Sequence, residues 1–454
     1  LATCRRDHSA RRGLEELAAR LWCDGHDIDW DAVHGRHEHT ARRTPLTLTV
    51  SGKTEQARAA NAALLADRLD GTAEGDLLDA AYTAALHRTH FEHRAGVTAG
   101  SVAEAVVALR ALAEERAHPD VVEGVASGGG LAVLFTGQGS QRLGMGRALY
   151  AAFPEFREAF DVVAGALEPH VRVPLAAVLF AGADSADAGL VHRTEFAQPG
   201  LFAVEVALFR LWRAWGIAPV AVAGHSVGEL AAAHVAGVLD LADAARLVAA
   251  RGRLMQACET GGVMVSVEAS EAEVCGVLAS VGGRVSVAGV NGPVQTVVSG
   301  DGPAVAAVVE HFRAAGRRTR GLTVSHAFHS PHMDAMLAAY ERVAATVTVR
   351  EPEIALVSTV TGGWVSAGEL ADPGYWVRQV REAVRFLDAV RTLESCGVGR
   401  YLECGPAAVL SAMGAGCVEG EAVFVASQRA PRGTEPVDEV RALVRAVARS
   451  EERG

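Results

Sequence analysis

Lysine is almost missing from this chain. Of 43 basic residues only Lys53 is a lysine, and with the excess of Ala, Gly and Val this reads as high-GC coding rather than a functional choice. Acidic residues number 54 and leave a net charge of −11, which argues against the basic balance that a nucleic-acid partner calls for. No apolar run suits a membrane span, because the most apolar stretch, residues 201–212, is interrupted by Glu205 and Arg210. The first residues carry Arg5, Arg6 and Asp7 without an apolar h-region, so no secretory signal is read there. The seven cysteines, at 4, 23, 258, 275, 396, 404 and 417, are odd in number, scattered and without a C-x-x-C pair; they read as reduced thiols of a cytoplasmic protein.

What is present fits a globular enzyme. A composition 50% hydrophobic and 21% charged can bury a large core and fits no disordered class. Its 454 residues suggest about three domain-sized units. A first residue of Leu rather than Met is what a piece of a longer polypeptide would show.

Residues 1–44 are polar and rich in His and Arg, with one amphipathic helix carried by Leu14, Leu17 and Leu21, then Asp29-Trp30, to which the pattern assigns no role. Residues 45–126 read as a small α+β unit, with strands at 46–50 and 94–98 and helices at 55–69, 77–86 and 102–117. Ser127-Gly128-Gly129-Gly130 ends it as a flexible joint. From Leu131 an α/β pattern begins. Residues 262–323 switch to β-α-β-β-α-β, the pattern of a ferredoxin-like insertion, and α/β returns after them with candidate strands at 354–358 and 401–404. Beyond about residue 429 the chain is a charged tail or helix.

The chemistry centres on Gly224-His225-Ser226-Val227-Gly228-Glu229. This G-x-S-x-G pattern lies between a short apolar strand, 219–223, and a good helix start, 230–233. Glycines on both sides of the serine permit a sharp turn that exposes its hydroxyl above the amides of the next helix, as acyl transfer through a serine ester requires. A base is needed, and His329 in Ser325-His326-Ala327-Phe328-His329-Ser330-Pro331-His332 is the best candidate, although three histidines compete there. Metal binding by His326, His329 and His332 is disfavoured, since no carboxylate or cysteine nearby completes a ligand set. Arg251 falls on the apolar stripe of a helix over 243–256 with Ala244, Leu247, Val248, Leu254 and Met255, so it must meet a carboxylate of the protein or of a substrate. Gly137-Gln138-Gly139 lacks both nucleotide-loop spacings and is better used as an oxyanion loop acting with the Val227 amide. Arg313, Arg317, Arg318 and Arg320 suggest a basic patch on the insertion that receives phosphates or an acidic partner.

Seven ordered strings complete the pattern. They are F-T-G-Q-G-S-Q at 135–141, A-Q-P-G-L-F-A at 197–203, G-H-S-V-G-E at 224–229, R-G-R-L-M-Q at 251–256, V-N-G-P at 290–293, V-S-H-A-F-H-S at 324–330 and G-P-A-A-V-L at 405–410. Together they resemble the acyltransferase domain of modular polyketide synthases and its relatives, the malonyl-CoA:acyl carrier protein transacylases. Residues 45–117, with H-F-E-H-R at 90–94, resemble the linker that joins a ketosynthase to such a domain.

The resemblance implies an α/β fold: an α/β-hydrolase-like core with a parallel sheet over 131–261 and 324–430, the ferredoxin-like subdomain at 262–323, the linker domain at 45–126 and a tail at 431–454. It implies Ser226 as nucleophile, His329 rather than His326 as base, the Gln138 and Val227 amides as oxyanion donors, and Arg251 as holder of the malonyl carboxylate. Phe328, His225 and Asn291 are implied at the substrate. It further implies that backbone carbonyls orient the imidazole, that no cofactor is bound, that malonyl-CoA is the donor, and that phosphopantetheine on an acyl carrier protein is the acceptor, with neighbouring synthase domains as partners. H-A-F-H and G-H-S-V-G accompany malonyl rather than methylmalonyl units, because Phe328 should narrow the space beside the α-carbon; one methyl is worth about 1–3 kcal/mol.

Two strings depart from many relatives. Gly405-Pro406-Ala407-Ala408 stands for G-P-H-P, and Gln379-Val380-Arg381-Glu382-Ala383-Val384 for N-L-R-E-P-V; both are expected to touch pocket packing rather than chemistry. The string D-I-D-W-D-A at 27–32 resembles sequence that usually follows such a domain, and its place before this one is unexplained. A serine hydrolase acting on carrier-bound acyl groups would share Ser226 and His329 but has no use for Arg251. A catalytically silent docking module would need none of the three.

Overall fold

The computed structural model describes residues 10–34, 45–126 and 129–428, so the first two residues of the expected joint at 127–130 and the tail at 431–454 lie outside the described residues. The chain divides into two compact units. None of its helices, among the described residues, is long and apolar enough to cross a membrane.

The first unit is built on an antiparallel sheet of β1 (Leu46–Gly52), β2 (His93–Ala99) and β3 (Val121–Val125), with β2 in the middle. The third strand was not legible in the sequence, because Val121, Val122 and Val125 alternate with little polar contrast across only five residues. Helices Glu55–Leu69, Asp76–Leu86 and Val102–Ala113 close its core through Ala62, Ala66, Leu69, Leu77, Ala81, Leu109 and Leu112. Thr54 and Ser101 cap the first and last of these helices with their hydroxyls.

The segment read as a separate N-terminal piece proves part of this unit. Helix Ala10–Cys23 packs on the sheet, mainly against β2 and β3. Its approach is close because two glycines face it: a Cβ on Gly96 would lie 2.5 Å from Ala19 Cβ, and one on Gly124 would lie 3.1 Å from Cys23. Trp22 and Trp30, both buried, meet edge to face at 6.2 Å, Trp22 Nε1 donates to His90 Nδ1 at 3.0 Å, and the Arg94 guanidinium lies 5.0 Å from the Trp22 ring. The D-I-D-W string therefore supplies an aromatic anchor for the linker unit.

In the second unit, β4 (Gly130–Phe135) and β5 (Ala221–Gly224) open the parallel core. An insertion follows, with β6 (Val263–Val267), β7 (Val285–Gly292), β8 (Gln295–Gly300) and β9 (Thr319–Gly321) in spatial order β7-β8-β6-β9, antiparallel throughout. Helices Glu271–Leu278 and Gly302–Ala314 cover it over a core of Val267, Val274, Val298, Val305, Val308 and Phe312, which is the expected ferredoxin-like arrangement. The core resumes with β10 (Ala355–Val357), β11 (Val398–Cys404) and β12 (Val423–Ala426), giving the order β10-β5-β4-β11-β12. Strand order reverses between β4 and β11, so the loop at the carboxyl end of β4 opens where doubly wound sheets place their ligands.

Gly96→Val should overpack the contact with Ala19 and cost the linker unit about 1–3 kcal/mol. Hydrogen exchange during urea titration checks this. Exchange of β1–β3 should rise at lower urea while that of β4 and β5 stays put; unchanged exchange in β1–β3 would contradict the packing described here.

Candidate functional site

Sterics fix the elbow before any chemistry does. Gly224 and Gly228 leave no room for side chains, since a Cβ on Gly224 would fall 2.1 Å from the Gly228 carbonyl and one on Gly228 would fall 2.4 Å from the Phe135 carbonyl oxygen of β4. Ser226 between them is held at φ +53°, and His329 at φ +54°. Left-handed backbone at a non-glycine residue costs about 1–3 kcal/mol. Only one other described non-glycine residue, Glu115, has a positive φ. The two strained residues meet: Ser226 Oγ lies 2.8 Å from His329 Nε2.

The tautomer follows from the partner on the far side of the ring. His329 Nδ1 lies 2.8 Å from the Glu382 carbonyl oxygen, which can only accept, so the proton is on Nδ1 and Nε2 keeps a lone pair for the serine proton. A backbone carbonyl takes the place of a third acidic residue. Burial, and secondarily the Arg251 charge, lower the His329 pKa from 6.5 to about 3, so the ring is neutral. Ser286 Oγ of β7 donates to the His329 carbonyl at 2.9 Å, tying the insertion to the base.

Arg251 is the most unusual group present. It is 1% exposed on helix Leu241–Gln256 and makes no ion pair among the described residues. Nη2 donates to Ser226 Oγ at 3.1 Å, Nε to Gln379 Oε1 at 3.2 Å, and Nη1 lies 3.6 Å from Met255 Sδ. Burial lowers its pKa from 12.5 to about 10, which leaves it charged. Of the two partners the sequence left open for this arginine, a protein carboxylate within ion-pair distance is absent among the described residues.

Gln138, in the loop after β4, donates from its side chain to Thr194 Oγ1 at 3.2 Å and accepts from Gln198 Nε2 at 3.1 Å. Among the described residues neither its backbone amide nor that of Val227 has an intramolecular partner, so both can serve a ligand. Phe328 is buried beside the base, 5.9 Å ring to ring from His326. His225 and Asn291 find each other, Nε2 to Oδ1 at 3.0 Å, the asparagine buried and the histidine half-buried. The other two histidines of the cluster are engaged elsewhere, His326 with Ser325 Oγ and His332 with Asp301, each at 2.8 Å.

Two expectations change. Gln379 was assigned to packing, yet its amide grips both Arg251 and, through Nε2 at 2.5 Å, the Ser226 carbonyl. Only its place in a departure from the relatives' string marked it, which gives no hint of a bond to Arg251. The basic patch on the insertion is half offset: Arg318 makes two bonds to Glu268 and Arg317 pairs with Glu273, while Arg313 donates to the neutral Thr319 hydroxyl.

Because His329 is neutral down to about pH 3, Ser226 acylation should run flat as pH falls from about 8 to 5. The sign follows from the depressed pKa: the base stays neutral above it and is lost only as pH falls through it. The second-order rate of acylation at limiting donor, which reports the free protein, is the measurement; an acid limb near the ordinary histidine value of 6.5 would contradict the buried, neutral imidazole.

Similarity to known proteins agrees with this geometry. The family model described as acyl transferase domain matches residues 133–433, and one described as CurL-like, PKS C-terminal matches 47–109. Polyketide synthase GfsA of Streptomyces halstedii is 49% identical over 416 residues, 90% of this chain and 6% of that protein. Mycoketide-CoA synthase of Mycobacterium tuberculosis is 48% identical over 80% of this chain and 9% of its own length. The chain thus spans a small fraction of the curated relatives it matches. Among solved structures, the acyltransferase domain from the second module of the salinomycin polyketide synthase aligns with a TM-score of 0.71 and 46% identity, covering 90% of this chain and 94% of that one. The malonyl-CoA:acyl carrier protein transacylase FabD of Xanthomonas oryzae aligns with a TM-score of 0.61 and 33% identity over 70% and 98%. A strained serine at a strand-to-helix elbow, a histidine on its hydroxyl and these matches lead to one conclusion: the chain belongs to the acyltransferase domain family of polyketide synthases and carries a linker segment of the same synthases.

Proposed function

We propose that this acyltransferase loads malonyl units from malonyl-CoA onto the phosphopantetheine thiol of an acyl carrier protein, through an ester on Ser226. The observation that carries the reading is Arg251, a buried cation with no protein carboxylate, 3.1 Å from the nucleophile. A malonyl group has a free carboxylate at one end and the thioester carbonyl at the other. Its binding would supply the missing charge, in the bidentate form a guanidinium favours.

In the first half-reaction Ser226 Oγ attacks the thioester carbonyl while its proton passes to His329 Nε2. The developing oxyanion takes the Gln138 and Val227 amides. The C–S bond breaks, the proton on Nε2 goes to the departing CoA sulfur, and the ester remains. In the second half-reaction His329 accepts the proton of the carrier thiol, whose sulfur attacks the ester, and returns it to Ser226. Malonate on Arg251 also offsets the charge that depresses the His329 pKa, so substrate binding strengthens the base at the moment it is needed. His225 and Asn291, bonded to one another, stand at the acyl group in this proposal. Phe328 limits the space for a branch at the α-carbon, favouring malonyl over methylmalonyl.

The cytoplasmic setting, a carrier protein and neighbouring synthase domains as partners follow from the kind of synthase the chain resembles. Hydrolysis of carrier-bound acyl groups would use the same dyad but would leave Arg251 buried without purpose.

Arg251→Ala should weaken malonyl transfer by about 2–4 kcal/mol, roughly 30- to 1,000-fold in kcat/KM, and change acetyl transfer little or raise it. Steady-state transfer from malonyl-CoA and acetyl-CoA to a carrier protein checks this. Equal losses for both donors would make Arg251 structural. Ser226→Ala should abolish acyl-enzyme formation, since no other hydroxyl stands on the elbow.

A further inference from the structure

Glu229, three residues past the nucleophile, is fully buried and has no arginine within ion-pair distance among the described residues. Its carboxyl meets hydroxyls instead. Oε1 accepts from the Tyr375 phenol, and Oε2 lies 2.9 Å from Thr359 Oγ1. Thr359 Oγ1 is also 2.7 Å from the carbonyl oxygen of Gly224, the last residue of β5. Tyr375 Oη lies 2.6 Å from Ser358 Oγ, which receives the amide of Val360 at 3.0 Å.

Full burial and a set of hydroxyl partners point to the state of the acid. Three hydroxyls bring three protons. The Gly224 carbonyl can only accept, so it takes the Thr359 proton across the shorter gap. The Tyr375 proton goes to Glu229 Oε1, and the Ser358 proton goes to the phenol oxygen. The contact between Thr359 Oγ1 and Glu229 Oε2 is then two oxygens without a proton, unless Glu229 supplies it. Ser358 and Gln379 also reach the carboxyl, but among the described residues no cation lies within ion-pair distance to offset an ionised group removed from water, whereas a protonated Oε2 donates across the Thr359 contact and leaves the Gly224 carbonyl served. Burial pushes the Glu229 carboxyl up from its ordinary value, in the same direction.

We infer that Glu229 is a neutral carboxylic acid that clamps the elbow to the elements carrying its partners, and so acts as a positioning residue for acyl transfer. One arm, through Thr359, holds the end of β5 two residues before Ser226. The other, through Tyr375, holds helix Pro373–Arg381, whose Gln379 grips Arg251 and the Ser226 carbonyl. The residue after that helix, Glu382, orients His329. Nucleophile, base and arginine are thus referenced to one acid that touches no reacting atom. The inference rests on the reading of Ser226 and His329 as the transfer dyad.

Three variants of the full chain test it: Glu229→Gln, Glu229→Ala and Tyr375→Phe. A glutamine presents one acceptor and one donor, as a protonated carboxyl does, so Glu229→Gln should form the malonyl-enzyme at a rate within about threefold of the parent. Glu229→Ala should slow that step by about 100-fold with little change in KM, because displacement of the dyad acts on the chemistry. Tyr375→Phe should fall between them. Infrared difference spectra of parent minus Glu229→Gln should show the C=O stretch of a carboxylic acid. A Glu229→Gln protein as slow as Glu229→Ala, a carboxylate band in place of the acid band, or a Glu229→Ala protein at the parental rate would each overturn the inference. Should Glu229→Ala fail to fold, the Gln variant and the infrared band decide alone. A parent protein that never acylates Ser226 would remove the transfer reading, while the infrared band would still report on Glu229.

Discussion

A guanidinium buried beside a nucleophile without a carboxylate partner is the constraint on which the site depends. Removing such a charge from water is costly, and inside this protein Arg251 recovers only a serine hydroxyl, an amide oxygen and a thioether. The cost appears in its own lowered pKa and in that of His329, which shares the enclosure. In the proposed reaction an anionic acyl group would remove both penalties at once, coupling recognition of the substrate's far end to activation of the base at its near end. Selectivity and catalysis then draw on the same interaction.

Around that charge the chain arranges strain and support. Ser226 and His329 both adopt left-handed backbone, and each is held by neighbours rather than by its own preference: the serine by close-packed glycines against β4, the histidine by Ser286 below and Glu382 above. The insertion therefore contributes to the core's chemistry through β7. Gln379 and Glu382 lie on one short helix and the turn after it, so a single element sets both the arginine and the imidazole.

Much of this was legible in the sequence, for identifiable reasons. The elbow has a fixed spacing enforced by sterics, so Gly224, Ser226 and Gly228 reveal it, and Arg251 stands out because a charge on an apolar helical stripe has few explanations. The β-α-β-β-α-β order of the insertion follows from alternation and turn residues. What was not legible depends on long-range contact. Gln379 is an ordinary residue on an amphipathic helix until folding brings it 128 positions across the chain to Arg251. Arg317 and Arg318 read as a basic patch because Glu268 and Glu273, some 50 positions earlier, face them only in the sheet. Strands β3 and β12 have too few residues to show a period, and the N-terminal helix joined the linker sheet through Gly96 and Gly124, whose lack of a side chain leaves no periodic signal.

The central claim is that Arg251 selects an acyl group with a free carboxylate for transfer to Ser226. The most direct measurement is intact-mass analysis, with peptide mapping, after brief exposure of the protein to equal amounts of malonyl-CoA and acetyl-CoA. The account predicts a single malonyl adduct on the peptide containing Ser226 and little acetyl adduct. Acetyl and malonyl adducts in equal amount, or an adduct elsewhere in the chain, would contradict it.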